Sequence, residues 1–394
     1  MRILVLHNYY QRPGGEDRVF ESETALLESL GHEVIRFVRH NDEIFAGSLL
    51  KNIGNALWNR AVALDLQRII EQNKPEVAHV HNVFSVLSPA VYHVLRRAGV
   101  PVVQSLHNYR LACPNARLIR NGCFCTLCRG KPVAWPAVRW RCYQNRWTSS
   151  AAIVSVLALH RALRSWMRSV DLYLAPSEYL KQQIIPAGLP PGRIIVKPHF
   201  VADPGEREPA QRLYALFLGR LEPEKGIMEL LDAWRLLPGF HLHVAGDGPL
   251  KNAVQERLRD PALGHVSLLG WLPREKVNDQ LANARFLVIP SLGFESFGLT
   301  AIEAFSHAVP VLAPATGALP EIVRDGFNGI LADPRNKAEL ADQARSLFLD
   351  TPLWLRMARQ SRLDYLHTYS PGVAGENLIN AYTLAQQNHC VGSS

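Results

Sequence analysis

The chain has 394 residues and a formal net charge of +8, and 47% of its residues are hydrophobic and 20% charged. This length predicts two domains of roughly 200 residues each, and the composition is typical of a water-soluble globular protein. The apolar runs fall short of the roughly 20 residues that a membrane-spanning helix needs, and the N-terminus begins a strand directly instead of forming a secretion signal. We therefore expect a cytoplasmic protein, whose six cysteines would not form structural disulfides.

The first half of the chain alternates apolar strands with helices. RILVLHNY at Arg2–Tyr9 predicts the first strand, and a turn and a helix that ends near Gly31 follow it. Further strands are predicted at 32–38, 77–80, 101–105, 171–175 and 194–200, and a helix is predicted at 149–168. A stretch rich in Cys, Arg, Trp and Pro, at about 108–147, interrupts this alternation as an insertion. The pattern predicts a doubly wound, Rossmann-like α/β domain over residues 1–200.

The second half restarts the alternation after a predicted linker at 201–209, which carries two prolines and four charged residues. Strands are predicted at 213–218, 240–245, 266–269, 286–289, 309–313 and 329–331, and helices at 336–349 and 352–369. Residues 210–370 are therefore expected to form a second Rossmann-like domain. The terminal segment 371–394 is predicted to be helical.

Residues 286–314 form the most informative stretch, a strand–helix–strand unit. Its helix is predicted to run from Phe297 to Ser306, with Ser296 as the N-cap. Open α/β sheets bind ligands at the carboxyl ends of their strands, and a helix N-terminus there suits a phosphate group. Glu295 precedes the helix and Glu303 lies about two turns into it, so the two carboxylates could face the sugar and the ribose of a nucleotide-sugar.

This stretch resembles a known enzyme family. Seven residues separate Glu295 from Glu303, as in the E-x7-E motif of retaining family-4 glycosyltransferases of GT-B fold, and PEIVRDGFNG at 320–329 agrees with the same family. GRLEPEKG at 219–226 resembles the family's diphosphate-binding loop. The resemblance implies two Rossmann-like domains that face a cleft. It also implies transfer of a sugar from a UDP- or GDP-linked donor by front-face attack, with no metal or other cofactor required for catalysis.

The resemblance also assigns roles to residues. It implies that Arg220 and Lys225 neutralise the diphosphate, that Glu295 holds sugar hydroxyls, and that His107 lies near the acceptor. Asn108 stands where the family usually has Asp, which argues against a general base at position 108. The donor-binding residues implied are Gly14, Gly15, Gly246, Pro249, Leu272, Ser296, Phe297, Gly298, Leu299 and Glu303, the last of these at the ribose.

Four cysteines in the insertion have the spacing C-x11-C-x2-C-x13-C: Cys113, Cys125, Cys128 and Cys142. Four thiolates can bind a structural zinc ion tetrahedrally, which would order the insertion and perform no chemistry. The alternative interpretation is a set of reduced thiols that bind no metal.

Positive charge is concentrated in the first half. Between Val77 and Val170 the chain has thirteen Lys or Arg and no Asp or Glu, which indicates an anionic partner. We predict that this segment docks on the anionic inner face of the cytoplasmic membrane, with apolar anchors at Trp135, Trp140, Trp147 and Trp166. The resemblance implies an acceptor that is a saccharide or is linked to a polyprenyl diphosphate.

Three alternatives remain open from the sequence. A soluble acceptor with an anionic group would also account for the basic segment. Another GT-B enzyme, such as a nucleotide-sugar epimerase, would share the donor motifs. A zinc-ordered nucleic-acid-binding protein would use the cysteines and tryptophans, but the glutamate, arginine and lysine motifs have no need of nucleic acid, so no nucleic-acid partner is expected.

Overall fold

The computed structural model describes residues 1–11, 14–46, 49–205 and 212–392. These residues form two compact units. The first comprises Met1–Arg120, Cys125–His199 and Gly372–Ser394, and the second comprises Asn121–Phe124 and Phe200–Pro371. The predicted linker at 201–209 and the predicted terminal segment at 371–394 each lie partly outside the described residues.

The first unit is built on a six-stranded sheet. Its strands are β1 (Arg2–Tyr9), β2 (Glu33–His40), β3 (Val77–Val80), β4 (Val102–Ser105), β7 (Leu172–Ala175) and β8 (Ile194–Val196). They are ordered β2-β1-β3-β4-β7-β8, and each neighbouring pair is parallel. The insertion contributes two further short strands, β5 (Ile119–Arg120) and β6 (Cys123–Phe124).

Helices cover this sheet on both faces, as a parallel sheet requires. They are α1 (Gly15–Ser29), α2 (Leu49–Leu57), α3 (Arg60–Asn73), α4 (Ala90–Arg97), α5 (Trp135–Arg139), α6 (Trp147–Ala162), α7 (Ser165–Ser169), α8 (Glu178–Ile184) and α16 (Pro371–Gly392). Helix α16 is the last of the chain, and its Leu378 and Tyr382 are fully buried in one cluster with Ile3 and Val5 of β1.

The second unit repeats the same architecture. Its strands are β9 (Tyr214–Leu218), β10 (His241–Ala245), β11 (Val266–Gly270), β12 (Ala284–Val288), β13 (Val311–Ala313) and β14 (Gly329–Leu331). The order is β11-β10-β9-β12-β13-β14, again with parallel neighbours. The helices are α9 (Ile227–Trp234), α10 (Lys251–Arg257), α11 (Arg274–Asn283), α12 (Leu299–Ser306), α13 (Leu319–Ile322), α14 (Lys337–Leu349) and α15 (Thr351–Asp364).

The two sheets confirm the predicted fold class, two Rossmann-like α/β domains. In the second unit, β9 lies at the centre of the sheet, paired with β10 on one side and β12 on the other. All five residues of β12 are buried, as expected for a strand covered on both faces. None of the helices in the described part of the chain combines the length and the apolarity needed to cross a membrane.

Several predicted elements differ in their bounds from those observed. The helix predicted at 149–168 is two helices, α6 and α7, because Arg164 adopts a left-handed conformation with φ of 53° between them. Strand β8 ends at Val196 instead of continuing to residue 200, and the helix predicted at 352–369 ends in a π-helical turn at Tyr365–Tyr369. Helix α12 begins at Leu299 instead of Phe297.

Candidate active site

The carboxyl edge of the second sheet is formed by tightly packed loops that only glycine permits. Gly226 has φ of +67°, and a Cβ atom there would lie 1.8 Å from the carbonyl oxygen of Pro290. Gly246 has φ of +154°, and its Cβ would lie 1.8 Å from the carbonyl oxygen of Gly219. The loops after β9, β10 and β12 are thereby held against one another at the edge where α/β proteins bind ligands.

Lys225 and Glu295 meet at this edge. The Lys225 Nζ donates to Glu295 Oε1 at 2.6 Å, and the Ser291 hydroxyl donates to the same oxygen at 2.6 Å. Burial alone would raise the pKa of Glu295, but the charge of Lys225 and these two hydrogen bonds outweigh it and lower the pKa. Glu295 is therefore a carboxylate, and Lys225 is positioned beside it with part of its surface accessible.

Arg220 lies on the same loop as Lys225 and is more exposed. Its Nη1 forms an ion pair with Glu222 Oε1 at 3.2 Å, and 65% of its side chain is exposed. Its charge also contributes to lowering the pKa of Glu295, behind burial and the effects of Lys225 and Ser291. A flexible, solvent-facing guanidinium of this kind can reach an anionic ligand as a planar donor.

The N-terminus of α12 corrects the predicted cap. Gly298 occupies the N-cap position with φ of 135°, and no side chain caps this end of the helix. Because L side chains rarely adopt a φ of 135°, glycine is favoured at this N-cap, and Ser296 lies two positions before it instead of at the cap. Ser296 and Leu299 are half-buried beside the turn, and Phe297 is buried in the core.

Glu303 is almost fully buried on α12 and has a partner that the sequence did not indicate. The Nη1 atom of Arg274, the first residue of α11, donates to Glu303 Oε1. Only 3% of the Glu303 side chain is exposed, whereas Arg274 is 45% exposed. Leu272, two residues before Arg274, is half-buried against the same core. The structure thus brings Glu303 and Leu272 to one side of the edge.

The turn after β10 places Gly246 and Pro249 beside the loop at 219–226, which carries Arg220 and Lys225. Gly219 donates its N–H to the carbonyl oxygen of Ala245, and Leu221 donates to that of Asp247 at 2.9 Å. A Cβ at Gly248 would lie 2.6 Å from the carbonyl oxygen of Leu221. Pro249 is exposed at the end of this turn. The two loops therefore form one backbone-to-backbone surface.

His107 lies in the first unit, beyond the end of β4, in a cavity of about 400 Å³, part of which is open to solvent, that His81, Asn108 and Arg110 also line. Its Nε2 lies 3.2 Å from His81 Nδ1, and its ring stacks on that of His199 with centroids 5.4 Å apart. Burial lowers the pKa of His107 to about 4, so the ring is neutral at neutral pH.

Glu16 at the start of α1 faces the same cavity. Tyr10 donates to its Oε2 at 2.9 Å, and the Asn108 amide donates to its Oε1. Burial raises the pKa of Glu16, although Asn108, Tyr10 and the positive charge of Arg110 act in the opposite direction. The cavity therefore combines a carboxyl group, a guanidinium and a neutral imidazole.

Gly14 is the N-cap of α1 and Gly15 its first residue. The Gly14 N–H donates to Asp17 Oδ2 at 2.8 Å, and Asp17 Oδ1 bonds His7 Nε2 at 2.7 Å. A Cβ at Gly14 would meet no atom within 4 Å, so the space beside the backbone is open to a ligand.

A buried polar network that sequence reasoning missed lies beneath this cavity. Lys197 and Glu23 form a buried ion pair, and Glu23 Oε2 lies 3.6 Å from His81 Nε2 and 3.9 Å from His79 Nδ1. His79 also bonds Tyr382 of α16 and Ser105 of β4. The ammonium of Lys197 already supplies a positive charge to Glu23, so this arrangement is a neutralised core network.

The predicted zinc site is not supported. Within the described residues, the only ligand-type atoms of three or more side chains that lie within 4.8 Å of one another belong to Glu23, His79 and His81. The four sulfur atoms of Cys113, Cys125, Cys128 and Cys142 do not converge in this way. Burial, followed by the nearby Cys113, raises the pKa of Cys128 to about 11, which keeps it a thiol.

Two Rossmann-like units with these motifs at the edge of the second sheet define the GT-B class of fold. Residues 13–203 match the sequence model for Glycosyltransferase Family 4, and residues 202–364 match that for Glycosyl transferases group 1. The chain belongs to this family of group 1, family-4 glycosyltransferases.

Individual relatives agree with this assignment. The chain is 30% identical to O-antigen chain mannosyltransferase B of Escherichia coli over 250 residues, which is 57% of this chain and 64% of that protein. The chain spans between 37% and 64% of the length of the curated relatives it matches.

Solved structures are similar over almost the whole chain. A glycosyltransferase from Rickettsia africae ESF-5 superposes with a TM-score of 0.72 at 16% identity, covering 98% of both chains. The Anabaena protein HepE, solved in complex with UDP and glucose, superposes with a TM-score of 0.67 at 19% identity, covering 97% of this chain and 99% of that one. At these identities the likeness establishes the fold.

Proposed function

We propose that this protein is a retaining glycosyltransferase that moves a hexosyl group from a UDP- or GDP-linked sugar to an acceptor saccharide. The observation that carries the proposal is the Lys225–Glu295 pair at the carboxyl edge of the second sheet, 2.6 Å apart and held by Ser291. This edge therefore offers two neighbouring groups, a cation that can bind a diphosphate and a carboxylate that can accept hydrogen bonds from sugar hydroxyls.

The donor would lie along this edge with its two ends on different residues. Glu303, oriented by Arg274, would accept hydrogen bonds from the ribose, and the backbone near Leu272 would contact the base. The uncapped N-terminus of α12 would lie against a phosphate, because its exposed N–H groups and dipole favour negative charge. The turns at Gly246–Pro249 and Ser296–Leu299 would complete the surface.

The chemistry would depend on charge that develops as the glycosidic bond breaks. The leaving nucleoside diphosphate gains negative charge, and Arg220 and Lys225 would stabilise it; loss of one such preorganised contact costs about 3 kcal/mol. The acceptor hydroxyl oxygen would attack the anomeric carbon from the face that the diphosphate leaves. A phosphate oxygen of the leaving group would take the proton of that hydroxyl. Configuration at the anomeric carbon would therefore be retained, and the two cations would provide the neutralisation that a metal ion gives in other enzymes.

The first unit would bind the acceptor in the cavity that His107 lines. Its neutral imidazole, the Glu16 carboxyl group and the Arg110 guanidinium offer donors and acceptors for sugar hydroxyls. We assign acceptor binding to residues 1–200 and donor binding to residues 210–370, on either side of the linker, with the segment 371–394 completing the first unit.

The acceptor would be linked to a lipid during synthesis of a bacterial surface polysaccharide. The relative from Escherichia coli is an O-antigen mannosyltransferase, and the acid-free segment from Val77 to Val170 carries thirteen cations that suit an anionic membrane surface. Trp135, Trp140 and Trp147 are exposed and available as interfacial anchors, but Trp166 is buried, so the prediction that it is an anchor is wrong.

Purified protein tests this proposal in two steps. Thermal-shift and calorimetric screening against UDP, GDP and their hexose conjugates identifies the donor, and nucleotide release is then measured with and without saccharide acceptors. Release that requires an acceptor, with the new bond in the donor's anomeric configuration by NMR, is the expected result. Acceptor-independent conversion of the donor to an epimer would favour the epimerase alternative, and inversion would contradict the mechanism.

A further inference from the structure

A second cavity in the first unit is separate from the residues assigned to donor and acceptor. It has a volume of about 500 Å³, part of which is open to solvent, and it lies between the turn that joins α6 to α7 and the turn at Ala187–Leu189. Its floor is apolar, formed by the side chains of Leu111, Trp166 and Leu189. We call this cavity the α6–α7 slot.

The charged groups that line the slot are both positive. Arg161 donates to backbone carbonyl oxygens, that of Lys131 at 2.7 Å and those of Leu111 and Pro132. These hydrogen-bond partners of Arg161 are neutral carbonyl groups and include no carboxylate. Burial lowers the pKa of the Arg161 guanidinium. Arg164 is exposed on the turn, and its guanidinium makes no hydrogen bond or ion pair with any residue that the structure describes.

The backbone explains why Arg164 is at the mouth of the slot. Its φ of 53° is left-handed, a conformation that costs a non-glycine residue free energy. This residue reverses the chain between α6 and α7, and the Ser165 hydroxyl is bonded to His160 at 2.8 Å and to His93 at 2.8 Å. The turn is thus fixed by buried hydrogen bonds, and its one long side chain extends to the slot and the solvent.

Exposed apolar side chains lie on the segments that form this mouth. Met167 on α7 lines the slot and is 45% exposed, and Leu159 on α6 and Leu163, one residue beyond its end, are 36% and 42% exposed. Exposed Arg168 lies next to Met167, and the whole segment from Val77 to Val170 contains no carboxylate. An apolar cavity with a rim of cations and exposed leucines matches a ligand that has an anionic head and a hydrocarbon tail.

We propose that the α6–α7 slot binds one molecule of an acidic phospholipid at the membrane surface. The phosphate would be bound by Arg164 and Arg161, and part of one acyl chain would lie against Leu111, Trp166 and Leu189. The proposal rests on the proposed function in assuming that the first unit works at a membrane, and it specifies the lipid that holds it there. A free phosphate ion would leave the apolar floor without a partner, which is why a lipid is favoured.

Vesicle sedimentation with the full chain and two matched charge reversals tests the site. Arg164→Glu alters the slot, and Arg97→Glu makes the same change of net charge on an exposed arginine outside it. With vesicles of phosphatidylcholine and phosphatidylglycerol at 0.1 M salt, we expect Arg164→Glu to weaken binding about tenfold or more and Arg97→Glu by less than about threefold. Equal losses of vesicle binding in both variants would mean that binding depends on the net charge of the surface and not on the slot, and would overturn the proposal.

A second variant tests the apolar floor independently of charge. Ala187→Trp adds an indole at a half-buried lining position and should block the slot, giving at least a fivefold loss of binding with no change in net charge. Phosphatidylglycerol with a photoreactive acyl chain should crosslink to peptides containing Leu111 or Leu189 in the parent protein and not in Ala187→Trp. Crosslinking that is unchanged by Ala187→Trp would overturn the proposal.

Soluble competitors separate a lipid from a simple anion. Dihexanoyl phosphatidylglycerol should compete with vesicles at millimolar concentration, whereas inorganic phosphate and glycerol 3-phosphate at the same concentration should not. Equal competition by inorganic phosphate would identify a phosphate site and contradict the lipid. UDP and GDP binding by the parent protein is measured on the same samples. A parent protein that binds nucleotide but not the vesicles would reject the slot alone, and one that binds the vesicles but not nucleotide would reject the proposed function alone.

Discussion

Lys225 is the side chain whose removal should most directly affect transfer. It lies 2.6 Å from Glu295 and would face the diphosphate at the carboxyl edge of the second sheet. Lys225→Ala removes the cation without opening a buried cavity, since the side chain is partly exposed. We expect kcat to fall by about 100-fold or more, in line with the loss of one preorganised contact to developing charge.

The matched control for this variant is Lys276→Ala. Lys276 is an exposed lysine on α11 that pairs with Asp279 at 3.6 Å and has no place in the proposed site. Its substitution should leave kcat within about twofold, because exposed ion pairs of this kind contribute little. A Lys225→Ala protein with near-native kcat and an unchanged melting temperature would show that the diphosphate lies elsewhere.

Substitutions of Glu303 on α12 and of Glu295 in the loop before it should affect different steps, nucleotide binding and sugar transfer. Glu303, buried and bonded to Arg274, would hold the ribose, so Glu303→Gln should weaken UDP or GDP binding by about tenfold. Glu295→Gln should bind the free nucleotide almost normally but lower kcat, because its carboxylate would hold the transferred sugar. Calorimetric titration with the nucleoside diphosphate and steady-state kinetics measure the two effects; equal affinities for both variants would contradict this layout.

At this scale the sequence indicates the residue types of the site better than their partners. The spacing from Glu295 to Glu303 and the Arg220–Lys225 loop are visible in the sequence, and the structure places Lys225 against Glu295. The partners Ser291 and Arg274 were missed; Arg274 is 29 positions from Glu303, and only the fold of the chain brings these two side chains together. A local pattern cannot show such a contact.

The loops of the second sheet are fixed by glycines in a way that stability can test. Gly226 and Gly239 both have left-handed φ, +67° and +85°, but only Gly226 lies against backbone. Gly239→Ala should cost about 1–2 kcal/mol, the penalty of the left-handed conformation alone. Gly226→Ala should cost more than twice as much, because its methyl group would lie 1.8 Å from the Pro290 carbonyl oxygen.

Urea unfolding of the two glycine variants measures this difference in free energy. Both substitutions add one methyl group at a positive φ, so the comparison isolates the close approach of the β9 and β12 loops. If the two variants lost equal stability, the Gly226 loop would not be held against Pro290 in solution. We also expect Gly226→Ala to lose activity, since Lys225 precedes it directly.

At the scale of elements, hydrophobic runs predict strands more reliably than helix boundaries. Strand β1 was predicted with the bounds observed, because a strand buried on both faces is an uninterrupted apolar run. The predicted start of α12 was wrong because Ser296 has the chemistry of an N-cap, whereas the observed N-cap, Gly298, has φ of 135°, a conformation that favours glycine. The break between α6 and α7 was missed because Arg164 gives no local signal for a left-handed residue.

At the scale of the whole molecule, the chain has two groups of charged and titratable side chains, the basic segment from Val77 to Val170 and a network buried in the first unit. The basic segment from Val77 to Val170 was evident from composition alone, but the buried network of Glu23, His79, His81 and Lys197 was not. These side chains come from α1, β3 and the chain after β8, and only the order of strands in the sheet brings them together. That network links the stability of the protein to pH.

The linkage follows from four buried imidazoles. Burial, with the positive charge of neighbouring groups such as Lys197, lowers the pKa of His79, His81 and His199 well below 6.5, and burial lowers that of His107 to about 4. Between pH 6.5 and about 4 the unfolded chain therefore binds protons that the folded chain does not, and stability falls as the pH decreases through this window.

The pH dependence of urea unfolding from pH 7.5 to pH 4.5 tests this linkage in the intact chain. We expect the free energy of unfolding to fall steeply below pH 6.5, with His107 alone contributing on the order of 3 kcal/mol by pH 4. His107→Asn removes one of the titrating groups and should flatten the curve, although it lowers stability at pH 7.5. His241→Gln, at an exposed histidine of β10, is the control substitution. If the free energy of unfolding of His107→Asn stayed parallel to that of the parent across this pH range, His107 would be protonated to the same extent in the folded and unfolded chains. Burial would then not lower the pKa of His107.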